Sequence, residues 1–132
     1  MYLFDENTSP KLVAYMRECG AADVTHLSEV YARGTLDPEL IPAIAEAGYI
    51  LVTNDQAMRD EHSALLEQSR IKALFLPPGW ADMRRWGQSA FIFRYWPTIA
   101  ASVNSNPGMG SMRIDKKGNV TTLATNYRRG HR

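Results

Sequence analysis

Side chains able to hold a cation or move a proton are spread unevenly along this 132-residue chain. Asp5 and Glu6 are adjacent near the amino terminus, Asp37 precedes a proline, Asp55 follows the string ILVTN at 50–54, and Asp60 comes shortly after. Carboxylates are hard oxygen ligands. Two unit charges about 4 Å apart repel by roughly 4 kcal/mol at an effective dielectric of 20, so several of these acids meeting in one place would need a cation among them. With one cysteine and no pair of histidines at metal-binding spacing, Mg²⁺ or Mn²⁺ suits such a cluster better than zinc. His26, His62 and His131 stand alone, and His26 reads as a packed, hydrogen-bonded strand residue. There is no G-x-S-x-G elbow and no G-x-x-x-x-G-K loop, so serine-hydrolase and P-loop chemistry find no support.

Each acid alone also has a plain structural reading. Asp37 and Asp55 suit helix N-caps and Asp5 a loop cap, each contributing about 1 kcal/mol. The elements around them decide between the two readings.

The run YLF at 2–4 reads as a buried strand opening into a polar loop, and Ser9-Pro10 starts a helix whose apolar positions Leu12, Val13, Met16 and Cys19 end at Gly20. A second short strand at 24–27 is followed by an irregular loop through Gly34. Asp37-Pro38 opens a second helix, with Leu40, Ile41, Ile44 and Ala45 on one face and Gly48 as its stop. Residues 49–53 form the clearest strand, 56–67 a third helix with Ala57, Met58, Ala64 and Leu65 inward, and 71–76 a fourth strand closed by PPG at 77–79. Strands and helices alternating at this spacing predict an α/β fold with a central parallel sheet of about four strands, right-handed crossovers and helices on both faces.

Beyond Gly79, Asp82 is placed to cap a helix carrying Trp86, Ala90, Phe91 and Tyr95, which Pro97 should kink or end, with a further turn or two reaching Val103. A loop over 104–110, a hairpin around KKGN at 116–119 and a frayed tail from Tyr127 complete the chain.

In open parallel sheets the loops leaving the carboxyl ends of the strands converge, and ligands bind there. Asp5, Glu6 and Asp55 follow strands directly, Asp37 begins the helix leading into the third strand, and Asp60 is little more than one helical turn beyond Asp55.

The segments LFDEN at 3–7 with Ser9-Pro10, VTHL at 24–27, GTLDPE at 34–39 and ILVTND at 50–55 together resemble the small PIN-like proteins of bacteria, which are similar to PIN-domain ribonucleases including the VapC-type toxins of toxin-antitoxin pairs. The resemblance covers about residues 1–78. It implies a three-layer α/β/α core there, and local pattern alone makes residues 79–132 a basic helix-and-hairpin extension of the same domain. It also implies a Mg²⁺- or Mn²⁺-dependent nuclease with an acidic quartet. Asp5 matches the first-strand aspartate and Asp55 the one after Val-Thr. Asp37 takes the place of the middle acid, with Glu39 and Glu29 as alternatives, and Asp60 that of the fourth. Asp5, Asp37 and Asp55 are then the metal ligands. A cognate antitoxin or a second copy of the chain is the protein partner implied.

Charge divides the chain at the same boundary. Residues 1–78 carry 6 Lys+Arg and 12 Asp+Glu, residues 79–132 carry 9 and 2. An acidic half followed by a basic one suggests a cation site joined to a surface for polyanions. Arg84, Arg85, Arg94, Arg113, Lys116, Lys117, Arg128, Arg129 and Arg132 are interleaved with Trp80, Trp86, Trp96 and Tyr127, a mixture suited to single-stranded RNA, although Trp86 and Phe91 at helical spacing read as core.

The single cysteine, the lack of a membrane-spanning apolar run and the lack of a signal-peptide layout at the amino terminus fit a cytoplasmic location with no membrane partner. Two readings compete with the nuclease. One is a receiver-like phosphoacceptor domain using Asp5-Glu6 and Asp55, which lacks the Lys-Pro expected after a last strand. The other is a catalytically silent module that binds RNA or protein.

Overall fold

The computed structural model describes residues 1–35, 37–108 and 110–123. Strand β1 (Tyr2–Phe4) is buried along its whole length. Helix α1 (Pro10–Glu18) begins where Ser9 accepts a hydrogen bond from the Lys11 N–H at 3.2 Å and Pro10 pre-sets the first turn. Strand β2 (Val24–His26) leads into a one-turn helix, α2 (Leu27–Val30), inside the stretch expected to be a loop. That turn has no apolar period. It is held by a capping box, with Ser28 N–H on the His26 ring and Glu29 reaching back to the His26 N–H.

Helix α3 (Asp37–Ala47), strand β3 (Ile50–Thr53), helices α4 (Gln56–Glu61) and α5 (Ser63–Ser69), and strand β4 (Lys72–Phe75) follow. The expected single helix over 56–67 is thus two, divided at His62, and Leu66 rather than Ala64 faces the core.

A 3₁₀ turn (Ala81–Met83) precedes helix α6 (Arg84–Asn104). Asp82 lies within that turn and does not cap α6. The helix also runs through Pro97. Proline leaves the Phe93 carbonyl without its helical partner, and because both residues are exposed, water can satisfy it. The buried face of α6 is set by Gln88, Phe91, Ile92, Trp96, Ile99 and Val103. Trp86 falls on the opposite side and is 89% exposed, correcting the expectation that it packs in the core.

The sheet has six strands, ordered β2-β1-β3-β4-β5-β6, where about four were expected. The hairpin of β5 (Ser111–Ile114) and β6 (Val120–Thr122) is not a separate appendage. β5 pairs in parallel with β4, and only β6 is antiparallel. Asp115 ties the turn by accepting from the N–H groups of Lys117 and Asn119 at 2.8 and 2.9 Å. Gly118 lies so close to Tyr95 of α6 that a Cβ there would approach the ring to 2.6 Å, so glycine lets the hairpin dock.

Three layers result. Tyr2, Phe4, Val52, Leu74 and Met112 face α1 and α6, with Trp96 packed on the Tyr2 and Phe4 rings at 4.9 and 5.3 Å between centroids. Leu3 and Leu51 face α3, α4 and α5. The three crossovers that link β1 to β4 share one hand, and the later step from β4 to β5 departs from it. The steps β3 to β4 and β4 to β5 run the same way across the sheet, yet their helices lie on opposite faces. Trp80, fully buried in the α1 layer, anchors the chain leaving β4 on that side before α6 begins.

Among the described residues no helix is long and apolar enough to cross a membrane. The tail carrying Tyr127, Arg128, Arg129 and Arg132 lies outside the described residues.

Candidate active site

Strands β1 and β3 are neighbours, but the chain leaves β1 through α1 on one face and β3 through α4 on the other. Such a reversal opens a crevice at the carboxyl ends of the two strands. Asp5 and Asp55 are the acids at its lips.

Asp5 extends the ladder by donating its N–H to the Val52 carbonyl at 3.2 Å, which fixes its side chain at the sheet edge. It is only 3% exposed. Burial pushes its carboxyl up from 3.8 to about 7, and the charges of Glu6 and Asp55 add to the rise, while the Thr53 hydroxyl and the Asn7 N–H oppose it. Asp55 serves as N-cap of α4, its Oδ1 accepting from the Met58 N–H at 2.9 Å while its own N–H donates to Thr53 Oγ1 at 3.0 Å. The capping expectation for Asp55 is met.

Asn7 joins the two strands. Its N–H donates to Asp5 Oδ1 at 3.0 Å, and its own Oδ1 accepts from Thr53 Oγ1 at 3.2 Å and from the Asn54 N–H at 3.0 Å. The single Thr53 proton therefore has two acceptors within reach, Asn7 and an ionised Asp5; protonation of Asp5 leaves it to Asn7. The Asn7 carbonyl accepts from Trp80 Nε1, and the Trp80 carbonyl from Gln88 Nε2 at 2.9 Å. Sequence reasoning overlooked Asn7, Thr53 and Trp80 as site residues. Asn7 lay inside the quoted LFDEN string, but nothing in a string shows which amide spans two strands.

His26 supports the loop from below. Its Nε2 faces the Thr8 carbonyl at 2.8 Å and its Nδ1 the Ser28 N–H at 3.1 Å, which requires the neutral ring with its proton on Nε2. Its role is structural, as expected. The Thr8 hydroxyl, fully buried between these groups, is without a hydrogen-bond partner.

The remaining candidates are placed as follows. Asp37 is the first residue of α3, and its side chain lies outside the described residues. Asp60 is exposed on α4, its side chain 70% accessible and 3.6 Å from Arg59. Glu29 is committed elsewhere: it takes a two-pronged ion pair from Arg17 at 2.6 and 2.8 Å and bonds from Thr25 and the His26 N–H, which hold its carboxyl down at about 2. Glu39 is exposed on α3. Arg84, Arg85, Lys116 and Lys117 are exposed, and Arg94 is exposed with its guanidinium 5.4 Å from the Tyr95 ring. Trp80 and Trp96 are core, which leaves Trp86 as the free indole.

Among the described residues no group of three Asp, Glu, His or Cys is arranged to hold a metal. Two carboxylates at a crevice, one driven toward protonation by burial, still suit a hard cation, because Mg²⁺ keeps most of its waters and takes only one or two protein carboxylates. Asp5 and Asp55 could hold Mg²⁺ or Mn²⁺ in that way.

A family model described as a PIN like domain matches residues 1–77. No curated protein and no solved structure matches the chain.

Proposed function

The chain belongs to the PIN-like domain family, which is of nuclease type, and we propose that it is a metal-dependent endoribonuclease. The observation that carries the reading is the placement of Asp5, buried and driven toward protonation, beside Asp55 at the β1–β3 crevice. An uncompensated carboxylate there destabilises the apo protein, and a divalent cation would relieve it.

In this reading Asp5 and Asp55 hold Mg²⁺ or Mn²⁺, with Asp37 at the start of α3 as the third acid. When bound there, such a cation would supply a water of lowered pKa and offset charge on the phosphodiester. Asn7 orients Asp5 through its N–H, and Thr53 and Met58 fix Asp55. The exposed cations Arg84, Arg85, Arg94, Lys116 and Lys117, joined by Arg128 and Arg129 of the tail, provide the surface for the RNA backbone. As the toxin of a toxin-antitoxin pair the protein would be silenced by a cognate antitoxin that covers the exposed face of α6.

The test is a titration of Mg²⁺ and Mn²⁺ against a panel of labelled RNAs, with Asp5→Asn and Asp55→Asn beside the wild type. Asn at 55 keeps the helix cap and removes only the charge. Metal-dependent cleavage is expected in the wild type and a loss of at least about 10²-fold in each variant. Undiminished cleavage in both would overturn the assignment, and acetyl-phosphate labelling of Asp55 would favour the receiver-like alternative, which shares the 2-1-3-4-5 strand order.

A further inference from the structure

Helices α1 and α6 lie side by side on one face of the sheet and both begin at its carboxyl edge, where Asp5 and Asp55 lie. Between their first turns is a cleft of about 210 Å³ lined by Ser9, Lys11, Leu12, Tyr15, Arg85, Gln88 and Ser89. Two features set it apart from an ordinary groove. First, the lining holds two cations and no carboxylate. Second, both helices run against the usual charge preference: neither has an acid in its first turn, α1 has Lys11 there and α6 begins Arg84-Arg85. A cation at the positive end of a helix is unfavourable, and here two such ends share one cleft. An anion would relieve both.

The apolar side of the cleft is aromatic. Tyr15 is 55% exposed, its ring 5.1 Å from that of Phe93, and Trp86 is at helical spacing from Ser89. Exposed rings next to a cationic pair match the demands of an unpaired nucleotide, whose phosphate takes the charges and whose base stacks. The cleft is also tied to the crevice by the bonds Gln88 to Trp80, Trp80 to Asn7 and Asn7 to Asp5.

The geometry points to this cleft as a subsite for one nucleotide of single-stranded RNA: Lys11 and Arg85 hold its phosphate and Tyr15 stacks on its base, beside the cleavage site. The inference rests on the reading that RNA is the substrate, and it names the path by which the strand reaches the acids.

The experiment measures binding of a fluorescently labelled single-stranded RNA of mixed sequence to the full chain in EDTA, where no cleavage occurs. Lys11→Gln and Arg85→Gln are each expected to weaken binding about fourfold near 0.15 M salt and to lower the salt slope by about 0.7. Tyr15→Leu, which keeps the apolar contact with Phe93, is expected to weaken binding about fivefold or more without changing the slope. Lys11 and Arg85 are exposed, so both variants should melt with the wild type. Unchanged affinity and slope in both charge variants, or equal effects on an RNA duplex, would overturn the subsite. Cleavage is read separately after Mg²⁺ is restored, so a wild type that binds RNA with this pattern but does not cleave it would sink the nuclease reading and leave the subsite standing.

Discussion

The Trp80 indole donates its Nε1–H to the Asn7 carbonyl at 3.0 Å, across 73 residues of chain. One contact thus connects the segment that carries the chain from β4 to α6 with the loop that carries Asp5. Replacing Trp80 by Phe keeps a ring in this fully buried position but leaves a carbonyl without its donor and a gap beside it. A loss of roughly 2 kcal/mol in urea unfolding is expected. Because the Asn7 N–H also orients Asp5, the rise in melting temperature with Mg²⁺ should shrink as well. A variant with full stability and an unchanged metal response would show that the indole bond does not set the loop.

Asp5 makes stability depend on pH in the direction opposite to most carboxylates. Its folded-state value, about 7, lies above the 3.8 of an unperturbed aspartate, so the folded protein binds the extra proton. The contribution is fully present below about pH 3.8 and is lost as pH rises through 7. Asp5→Asn removes the penalty. In the metal-free protein the variant should exceed the wild type at pH 8 by on the order of 4 kcal/mol, with the gap closing toward pH 4. Mg²⁺ should narrow it at pH 8 by stabilising only the wild type. Thermal melts of both proteins across this range check it, and a gap independent of pH would remove the buried-carboxylate account.

Glu29 shows the reverse sign and serves as the control. Arg17 first, then Thr25 and the His26 N–H, hold its carboxyl at about 2 rather than 4.5. Its contribution is present above pH 4.5 and is lost as pH falls toward 2. Gln at this position still completes the capping box, and the Arg17 pair is 35% and 43% exposed, so Glu29→Gln should cost under about 1 kcal/mol at neutral pH. RNA cleavage should be untouched. A large loss of cleavage would return Glu29 to the list of metal ligands.

Local pattern was enough for the layers and for the two acids at the crevice, because those depend on short-range signals: a β-branched run ending in Asn54-Asp55, and a cap followed by proline at Ser9-Pro10. The strand order and the docking of the hairpin depend on contacts between distant residues, such as Gly118 against Tyr95 and Trp80 against Asn7. No spacing records them. Trp86 was misplaced for a related reason. The stripe of α6 is fixed by where the sheet lies, and a register built on residues 86, 90 and 91 is as helical as the true one through 88, 91, 92 and 96. Glu29 reads as an acid near a strand end, and only its bonds to Arg17 and Thr25 reveal that its oxygens are taken.

Asn7 offers the most discriminating change, because charge can be added there while its acceptor role is kept. Aspartate at this position retains an oxygen for the Thr53 hydroxyl and the Asn54 N–H, but puts a third carboxylate next to Asp5 and Asp55. Without metal, Asn7→Asp should raise the Asp5 carboxyl further and lower stability at pH 7 by roughly 1–3 kcal/mol. With a cation present the same charge becomes a ligand or a source of attraction. Mg²⁺ affinity should therefore rise about tenfold while apo stability falls, and the two effects are separable by calorimetric titration and metal-free melts. Asn7→Ala tests the amide alone: it leaves the Asn54 N–H without its acceptor and the Thr53 hydroxyl with only Asp5, so apo stability and metal response should both fall. If Asn7→Asp weakened metal binding as Asn7→Ala does, the acids around this crevice would not be gathering a cation.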